Sequence, residues 1–207
     1  MTIRIMIAVL AAAIAPPVFA QPAQAPSAQA TALKEQLVQV AIDTSLGRIV
    51  LALDQGRAPL TTANFLKYVD THRFDGQNFY RAMKIGEGGL IQGGITTDAR
   101  KMLPPVAHEP TSRTGIKNVA GTIAMANAGP GTARSDFFIM TVDVPQFDAT
   151  ASEIGFAAFG HVVEGMDVVK AIFAAPTSPT KGEGVMKGQM LDPQVKILRA
   201  TRFKQER

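Results

Sequence analysis

The chain has 207 residues, of which 46% are hydrophobic and 18% are charged, and it contains no cysteine. Its length and hydrophobic content suit one globular domain, and the lack of cysteine excludes a disulfide framework, a cysteine nucleophile and a lipid anchor attached through cysteine. The net charge of +4 is small and scattered along the chain, so we expect no nucleic-acid partner.

The first twenty residues resemble a secretory signal peptide. The segment MTIRIMIAVLAAAIAPPVFA has a single charge, at Arg4, followed by an apolar run and by small residues that end at Ala20. A membrane-spanning segment is the weaker alternative, because the run contains prolines and is shorter than the roughly 20 residues that a membrane helix needs. We therefore expect residues 1–20 to be a signal peptide and the protein to be periplasmic or secreted, without stable membrane insertion.

Residues 21–37 have a different composition. They are rich in Pro, Ala and Gln, and bulky apolar side chains are rare among them. Such a segment buries too little apolar surface to fold, so a disordered linker is predicted. The folded domain is predicted to span residues 38–205.

The first predicted element of this domain is a β-hairpin. Apolar and polar side chains alternate from Val38 to Ile42 and again from Ile49 to Leu53, and Gly47 interrupts the pattern. Two segments with a period of two on either side of a glycine turn are typical of paired antiparallel strands.

A helix is predicted next, within APLTTANFLKYVDTHRFDG. Pro59 suits the first turn of a helix, and apolar residues recur at helical spacing at Ala63, Leu66, Tyr68 and Val69. These residues are expected to form the buried face of an amphipathic helix.

The remaining elements are mostly short strands separated by Gly, Pro, Asn and Asp. Strands are predicted at 78–83, 88–93, 119–126, 136–142 and 156–163, a second helix in EGMDVVKAIFAA with Met166, Val169 and Phe173 on one face, and a last strand in QVKILRATRF. Eight strands with two helices and no regular βαβ alternation favour an antiparallel sheet, and closure of that sheet would remove its edges. The predicted fold is therefore mainly β, a closed eight-stranded antiparallel β-barrel capped by two α-helices.

Several common catalytic centres are excluded by the sequence. It has no Gly-x-Ser-x-Gly turn, and His72, His108 and His161 are too far apart to form a local metal-ligand pair. The glycine-rich stretch GEGGLIQGG has Ile91 at the third glycine position of the dinucleotide-binding pattern, and no long helix is predicted after it. We predict neither a metal nor a cofactor.

Six blocks of sequence together resemble the cyclophilin family of peptidyl-prolyl cis-trans isomerases. In chain order they are TSLGRIVLALDQGRAPLTTANFLKYVD, NFYRAM, IQGG, GTIAMANAGP, SDFFI and FAAFGHVVEGMDVV, and they span about residues 38–170. The resemblance implies an eight-stranded barrel capped by two helices, which agrees with the predicted elements. It identifies the chain as a cyclophilin-type isomerase, expected to be bacterial and exported.

The resemblance also implies roles for individual residues. Arg81 of FYR matches the family's catalytic arginine, and Gln92 of IQGG matches a glutamine that hydrogen-bonds in the substrate groove. Ala126 and Asn127 of MANAG lie where the backbone of the family pairs with the bound peptide. Phe138, the second ring of DFFI, matches the wall of the pocket that receives proline.

The chemistry of prolyl isomerisation agrees with these roles. The bond before proline rotates over a barrier of about 18–20 kcal/mol, because delocalisation of the nitrogen lone pair stiffens it. In the twisted state the proline nitrogen regains its lone pair and accepts a hydrogen bond, which a permanently charged guanidinium can donate. An apolar pocket would hold the proline ring while the preceding carbonyl swings. The expected partners are proline-containing segments of client proteins, bound by a monomer.

Strand alternation separates the side chains of SDFFIM into two groups. Phe137 and Ile139 are predicted to fill the barrel, whereas Asp136, Phe138 and Met140 are predicted to face the groove. The small residues of AMANAG beside them would let a substrate backbone approach closely.

Asp136 departs from the family pattern, because family members usually carry glutamine at this position. Its carboxylate, if close to Arg81, could pair with the guanidinium. Such a pair would either fix the guanidinium in place or divert it from the proline nitrogen, and the sequence leaves both alternatives open.

The wall of the pocket departs from the pattern as well. The segment between Arg81 and Gln92 is longer than in the family, and Gly89 falls where an aromatic pocket residue is common. We therefore expect Leu90 and Phe147 to contribute to the proline pocket.

These features leave a second function open. The leading interpretation is an isomerase that accelerates X-Pro isomerisation during the folding of exported proteins. The alternative, supported by Asp136 and the altered loop, is a weakly catalytic or inactive peptide-binding chaperone or assembly factor. A carbohydrate-binding barrel is disfavoured, because such sites stack aromatic rings on the sugar. The chain has no tryptophan for this purpose and only two tyrosines.

Overall fold

The computed structural model of the chain describes residues 34–203. The predicted signal peptide and residues 21–33 of the predicted linker lie outside this range. The described residues form nine strands: β1 Leu37–Thr44, β2 Gly47–Asp54, β3 Asn78–Ile85, β4 Gly88–Gly94, β5 Thr122–Met125, β6 Phe137–Met140, β7 Ala157–Glu164, β8 Thr177–Ser178 and β9 Met190–Arg202. The α-helices are α1 Pro59–Asp70, α2 Thr111–Thr114 and α3 Met166–Ala174, and three 3₁₀ turns lie at Ala99–Lys101, Pro145–Phe147 and Gly184–Met186.

Eight of these strands close into a barrel. They are hydrogen-bonded in the order β1-β2-β7-β5-β6-β4-β3-β9, and β9 pairs back with β1. Every pairing is antiparallel, and the two-residue β8 adds only to β9. The predicted closed eight-stranded barrel is confirmed, with a third helix, α2, of a single turn.

The last strand begins earlier than the sequence predicts. β9 starts at Met190, ahead of the predicted QVKILRATRF, and its first part pairs with β3 while its second part pairs with β1. This double pairing makes β9 the strand that closes the barrel.

A glycine sets the tight turn between β1 and β2. Gly47 pairs with Thr44 across a two-residue loop and has φ +133, a conformation that favours glycine. A Cβ atom at this position would lie 2.8 Å from Cγ2 of Val168, so the turn also lets α3 pack closely on the barrel.

The helix α1 begins at Pro59, as predicted, and a distant carboxylate satisfies its first turn. Glu109, whose side chain is fully buried, accepts hydrogen bonds from the backbone N–H groups of Leu60, at 3.3 Å, and Thr61, at 2.8 Å. These N–H groups have no partner within a helix, and a negative charge beside them is favourable. The predicted buried face is correct at Leu66, Tyr68 and Val69. It is wrong at Ala63, which is exposed, and it omitted Phe65, which is fully buried.

The barrel interior is packed with aromatic rings. The Phe137 ring is fully buried, and its centroid lies 5.3 Å from that of Phe65, 5.4 Å from that of Phe74 and 5.7 Å from that of Phe79. Ile139 on the same strand face is also fully buried. The predicted inward face of β6 is therefore confirmed.

The helix α3 contributes a second apolar face to the core. Val169 and Ile172 are fully buried, and Met166 and Phe173 pack against the core while remaining partly exposed. The sequence pattern predicted this face but omitted Ile172. Across residues 34–203, no helix combines the length and apolar character needed to cross a bilayer.

Candidate active site

A cavity of about 300 Å³ opens where β3, β4 and β6 lie side by side. We call it the aromatic cavity. Its lining includes seven of the eight residues that the sequence assigned to the site: Arg81, Leu90, Gln92, Ala126, Asn127, Phe138 and Phe147. The rest of its lining is Met83, Phe156 and Met186. The structure thus brings together residues that are spread over more than half of the described chain.

Strand register explains how three of these side chains meet. Arg81 of β3 lies directly opposite Gln92 of β4, and Gln92 lies directly opposite Phe138 of β6. Residues directly opposite each other in neighbouring strands point to the same face of a sheet. The cation, the amide and the ring therefore form one row across the sheet.

An irregularity in β3 adds Tyr80 to this row. The register between β3 and β4 shifts between Phe79 and Arg81, and Tyr80 has no partner in the ladder. Strict alternation would place Tyr80 and Arg81 on opposite faces, but an extra residue in a strand re-aims the side chains beside it. The side chains of Tyr80 and Arg81 consequently both contact Gln92.

Three phenyl rings form the apolar wall of the cavity. The centroid of the Phe138 ring lies 5.2 Å from that of Phe156 and 5.8 Å from that of Phe147, and both pairs are edge-on. The ring centroids of Phe147 and Phe156 lie 4.8 Å apart. Phe138 and Phe147 were assigned to this wall from the sequence, and Phe156 was not.

Gly89 cannot supply the aromatic side chain that is common in the family. It has φ +154, and a Cβ atom there would lie 1.8 Å from the carbonyl oxygen of Met83. Any side chain at this position would collide with the backbone of the neighbouring strand. Leu90, Phe147 and Phe156 line this part of the cavity instead.

Two glutamines hold the guanidinium of Arg81. Its Nη1 donates to Oε1 of Gln92, and its Nε donates to Oε1 of Gln189, both at 2.8 Å. Its Nη2 lies 3.0 Å from Sδ of Met83. Burial lowers the pKa of Arg81, but an arginine remains charged in a protein. The site thus holds a fixed cation beside an aromatic wall.

Asp136 does not pair with Arg81 directly. Its Oδ1 accepts a hydrogen bond from the hydroxyl of Tyr80 at 2.7 Å, and its Oδ2 accepts one from Oγ of Ser135 at 3.0 Å. Both alternatives based on direct pairing, fixing or diverting the guanidinium, fail for this reason. Burial raises the pKa of Asp136.

Asp136 lies instead in a second, adjoining cavity of about 490 Å³. The two cavities share four residues: Gln92, Ala126, Asn127 and Met186. The eighth predicted residue is therefore beside the site but on the far side of Gln92 from the aromatic wall.

The sequence did not reveal Gln189 and Met186 as site residues. Both lie in the segment that precedes β9, outside the blocks that resemble the family. Their position depends on how that segment folds back, and Gln189 reaches Arg81 across 108 positions of sequence. Tyr80 could have been found only if the irregularity in β3 had been anticipated. Within residues 34–203, no cluster of three or more His, Asp or Glu side chains could hold a metal ion.

The chain matches one protein family over most of its length. Residues 37–202 match the family described as Cyclophilin type peptidyl-prolyl cis-trans isomerase/CLD. A peptidyl-prolyl cis-trans isomerase of Streptomyces antibioticus is 38% identical over 149 residues, which is 69% of this chain and 87% of that protein. Peptidyl-prolyl cis-trans isomerase A of Dickeya dadantii is 37% identical over 142 residues, which is 67% of this chain and 72% of that protein.

Solved structures agree with this match at the level of the fold. A cyclophilin type peptidyl-prolyl cis-trans isomerase of Cryptosporidium parvum has a TM-score of 0.68 and 21% identity, covering 83% of this chain and 100% of that chain. Its structure in the presence of the dipeptide Ala-Pro has a TM-score of 0.65 and 22% identity, covering 80% of this chain and 99% of that chain. The predicted enzyme class, peptidyl-prolyl isomerase, is confirmed by the family match and the named relatives. The chain belongs to the cyclophilin-type peptidyl-prolyl cis-trans isomerase family.

Proposed function

We propose that the protein is a bacterial, exported isomerase that accelerates X-Pro isomerisation in client proteins during their folding. The observation that carries the catalytic part is a guanidinium fixed at the edge of a cavity whose opposite wall consists of phenyl rings. The cavity, of about 300 Å³, offers an apolar surface for a proline ring.

The contacts of Arg81 suit the proposed mechanism. A guanidinium has five N–H donors, and the contacts with Gln92, Gln189 and Met83 use three of them. The remaining donors can reach the proline nitrogen when it regains its lone pair in the twisted state. Because the guanidinium is already held in place, little reorganisation is needed when the substrate twists.

Similarity to other isomerases supports the choice of substrate. The related Cryptosporidium parvum protein was solved in the presence of Ala-Pro, a dipeptide of the X-Pro type. The alternative, a weakly catalytic peptide-binding chaperone, drew its support partly from a carboxylate diverting Arg81. Asp136 engages Tyr80 and Ser135 instead, which removes that support.

The catalytic proposal is tested by measuring isomerisation of a short Ala-Pro-containing peptide with the full chain. Uncatalysed isomerisation takes tens to hundreds of seconds at 25 °C, so acceleration is easily measured against buffer. We expect the rate to rise in proportion to protein concentration. A rate equal to that in buffer, together with measurable binding of the peptide, would favour the chaperone alternative.

Export is a separate part of the proposal and depends on residues 1–20. An N-terminal charge, an apolar run and small residues before Gln21 are typical of a cleaved signal peptide. Expression of the full chain in a bacterium with a periplasm should give a periplasmic product whose N-terminus is Gln21. Leu10→Arg, which places a charge in the apolar run, should retain the product in the cytoplasm. Cytoplasmic retention of the unchanged chain with Met1 intact would contradict export.

A further inference from the structure

A continuous chain of hydrogen bonds links Asp136 to the guanidinium. Nη1 of Arg81 donates to Oε1 of Gln92 at 2.8 Å, and Nε2 of Gln92 donates to the hydroxyl oxygen of Tyr80 at 2.7 Å. The hydroxyl of Tyr80 donates to Oδ1 of Asp136 at 2.7 Å. Each group therefore donates to the next, from the cation at one end to the carboxylate at the other.

The carboxylate determines the direction of this chain. An ionised carboxylate only accepts hydrogen bonds, so the hydroxyl of Tyr80 must donate to Asp136 and can then accept from Gln92. The second oxygen of Asp136 is already engaged by the fully buried Ser135. Asp136 is thereby held with Oδ1 towards Tyr80.

The orientation of the Gln92 amide is what this direction controls. The two ends of an amide are nearly equal in size, but one only accepts and the other only donates. If the amide turned over, its NH₂ group would face the N–H groups of Arg81 and its oxygen would face Tyr80. The order set by Asp136 and Tyr80 therefore keeps the accepting end of Gln92 on the guanidinium.

Burial strengthens the effect of each bond in the chain. Gln92 and Tyr80 are 9% and 7% exposed, so water competes poorly for their polar atoms. Burial, and the charge of Asp136 beside it, raises the pKa of the Tyr80 phenol, which keeps the hydroxyl protonated as a donor. The second contact of Arg81 is with Gln189, in the segment that precedes β9, and it does not depend on Asp136.

We propose that Asp136 and Tyr80 are positioning residues, which orient the Gln92 amide and through it hold the Arg81 guanidinium for prolyl isomerisation. This proposal rests on the isomerase activity proposed above. Neither residue needs to touch the reacting bond. The role follows from the hydrogen bonds that connect Asp136 and Tyr80 to the amide of Gln92.

The test uses single changes that remove or preserve the acceptor and the donor. Tyr80→Phe deletes only the hydroxyl, and Asp136→Leu replaces the carboxylate, which accepts from both Tyr80 and Ser135, by an apolar group of similar shape. Because one buried hydrogen bond is lost from the support of the cation, we expect each change to lower kcat/KM about five- to ten-fold, mainly through kcat. Asp136→Asn keeps a carbonyl oxygen that can accept from Tyr80, so it should stay within about two-fold of the unchanged protein.

A double variant tests whether Tyr80 and Asp136 lower the activity through the same chain of hydrogen bonds or through unrelated effects. If both residues act through the same chain, Tyr80→Phe combined with Asp136→Leu should be no worse than either change alone, since residues acting as a unit are not additive. Side-chain amide resonances of Gln92 should broaden or shift in Tyr80→Phe if the amide becomes free to turn. This second measurement does not depend on catalysis.

Tyr68 provides a matched control, because the chain has two tyrosines and both are buried. Its hydroxyl accepts a hydrogen bond from the backbone N–H of Leu103 at 2.7 Å, away from the aromatic cavity. Tyr68→Phe should reduce stability without changing kcat/KM of the folded protein.

Three outcomes would overturn the positioning proposal. One is full activity in folded Tyr80→Phe with unchanged Gln92 resonances. Another is activity in Asp136→Asn as low as in Asp136→Leu. The third is an additive loss in the double change. If the protein without any substitution has no isomerase activity, the proposed function is refuted instead, whatever the Gln92 resonances show.

Discussion

Arg81→Ala is expected to lower kcat/KM for an Ala-Pro peptide by about 100-fold or more while leaving the barrel folded. The expectation follows from the proposed mechanism, in which the guanidinium donates to the proline nitrogen in the transition state. Removing one fixed donor of this kind typically costs about 10²- to 10³-fold in kcat. The measurement is the isomerisation rate at several peptide concentrations, with circular dichroism to check folding.

Two further variants sharpen this result. Arg81→Lys keeps the charge but loses the planar group that contacts Gln92 and Gln189 together, so most of the activity should also be lost. Arg100→Ala is the control, because the side chain of Arg100 is 91% exposed and its partner is Asp98. Activity of Arg81→Ala within about three-fold of the unchanged protein, a change of only ~0.6 kcal/mol in the barrier, would refute a catalytic role for the cation.

Much of the barrel was predictable because local patterns specify it. The alternation from Val38 to Leu53 with its glycine turn produced the β1–β2 hairpin, and Pro59 marked the start of α1. The wrong assignment of Ala63 to the buried face of α1 has a simple cause. A small apolar side chain adds little to burial, so its spacing carries weak information about which side faces the core.

Contacts between distant segments were much less predictable. The carboxylate of Glu109 satisfies the first turn of α1 across 48 positions, and no local pattern indicates that pairing. The early start of β9 depends in the same way on its pairing with β3. Such features are decided by the closed barrel as a whole.

The candidate site shows the same division. Strand alternation and the resemblance together placed the predicted residues around the two cavities, because opposite positions on β3, β4 and β6 form a row. The partner of Asp136 was not found from the sequence, since Tyr80 lies at a register shift that alternation does not describe. A one-residue irregularity in β3 thus determines which side chain donates to the carboxylate of Asp136.

The neighbours Phe137 and Phe138 should respond differently to the same substitution. Phe137→Ala is expected to lower the free energy of unfolding by about 3–5 kcal/mol, because a fully buried ring is replaced by a cavity among Phe65, Phe74 and Phe79. Its folded fraction should keep the kcat/KM of the unchanged protein, since the ring faces away from the aromatic cavity. Urea denaturation and the peptide assay measure the two quantities.

Phe138→Ala is the matched variant on the opposite face of the same strand. Its ring borders the aromatic cavity, so the space left behind is partly open and the loss of stability should be smaller than for Phe137→Ala. Loss of the wall that would hold the proline ring should lower kcat/KM by about ten-fold, chiefly through KM, as expected for burial worth ~1.4 kcal/mol. A larger loss of stability in Phe138→Ala than in Phe137→Ala, with kcat/KM unchanged, would show that the ring belongs to the core and does not form a binding surface.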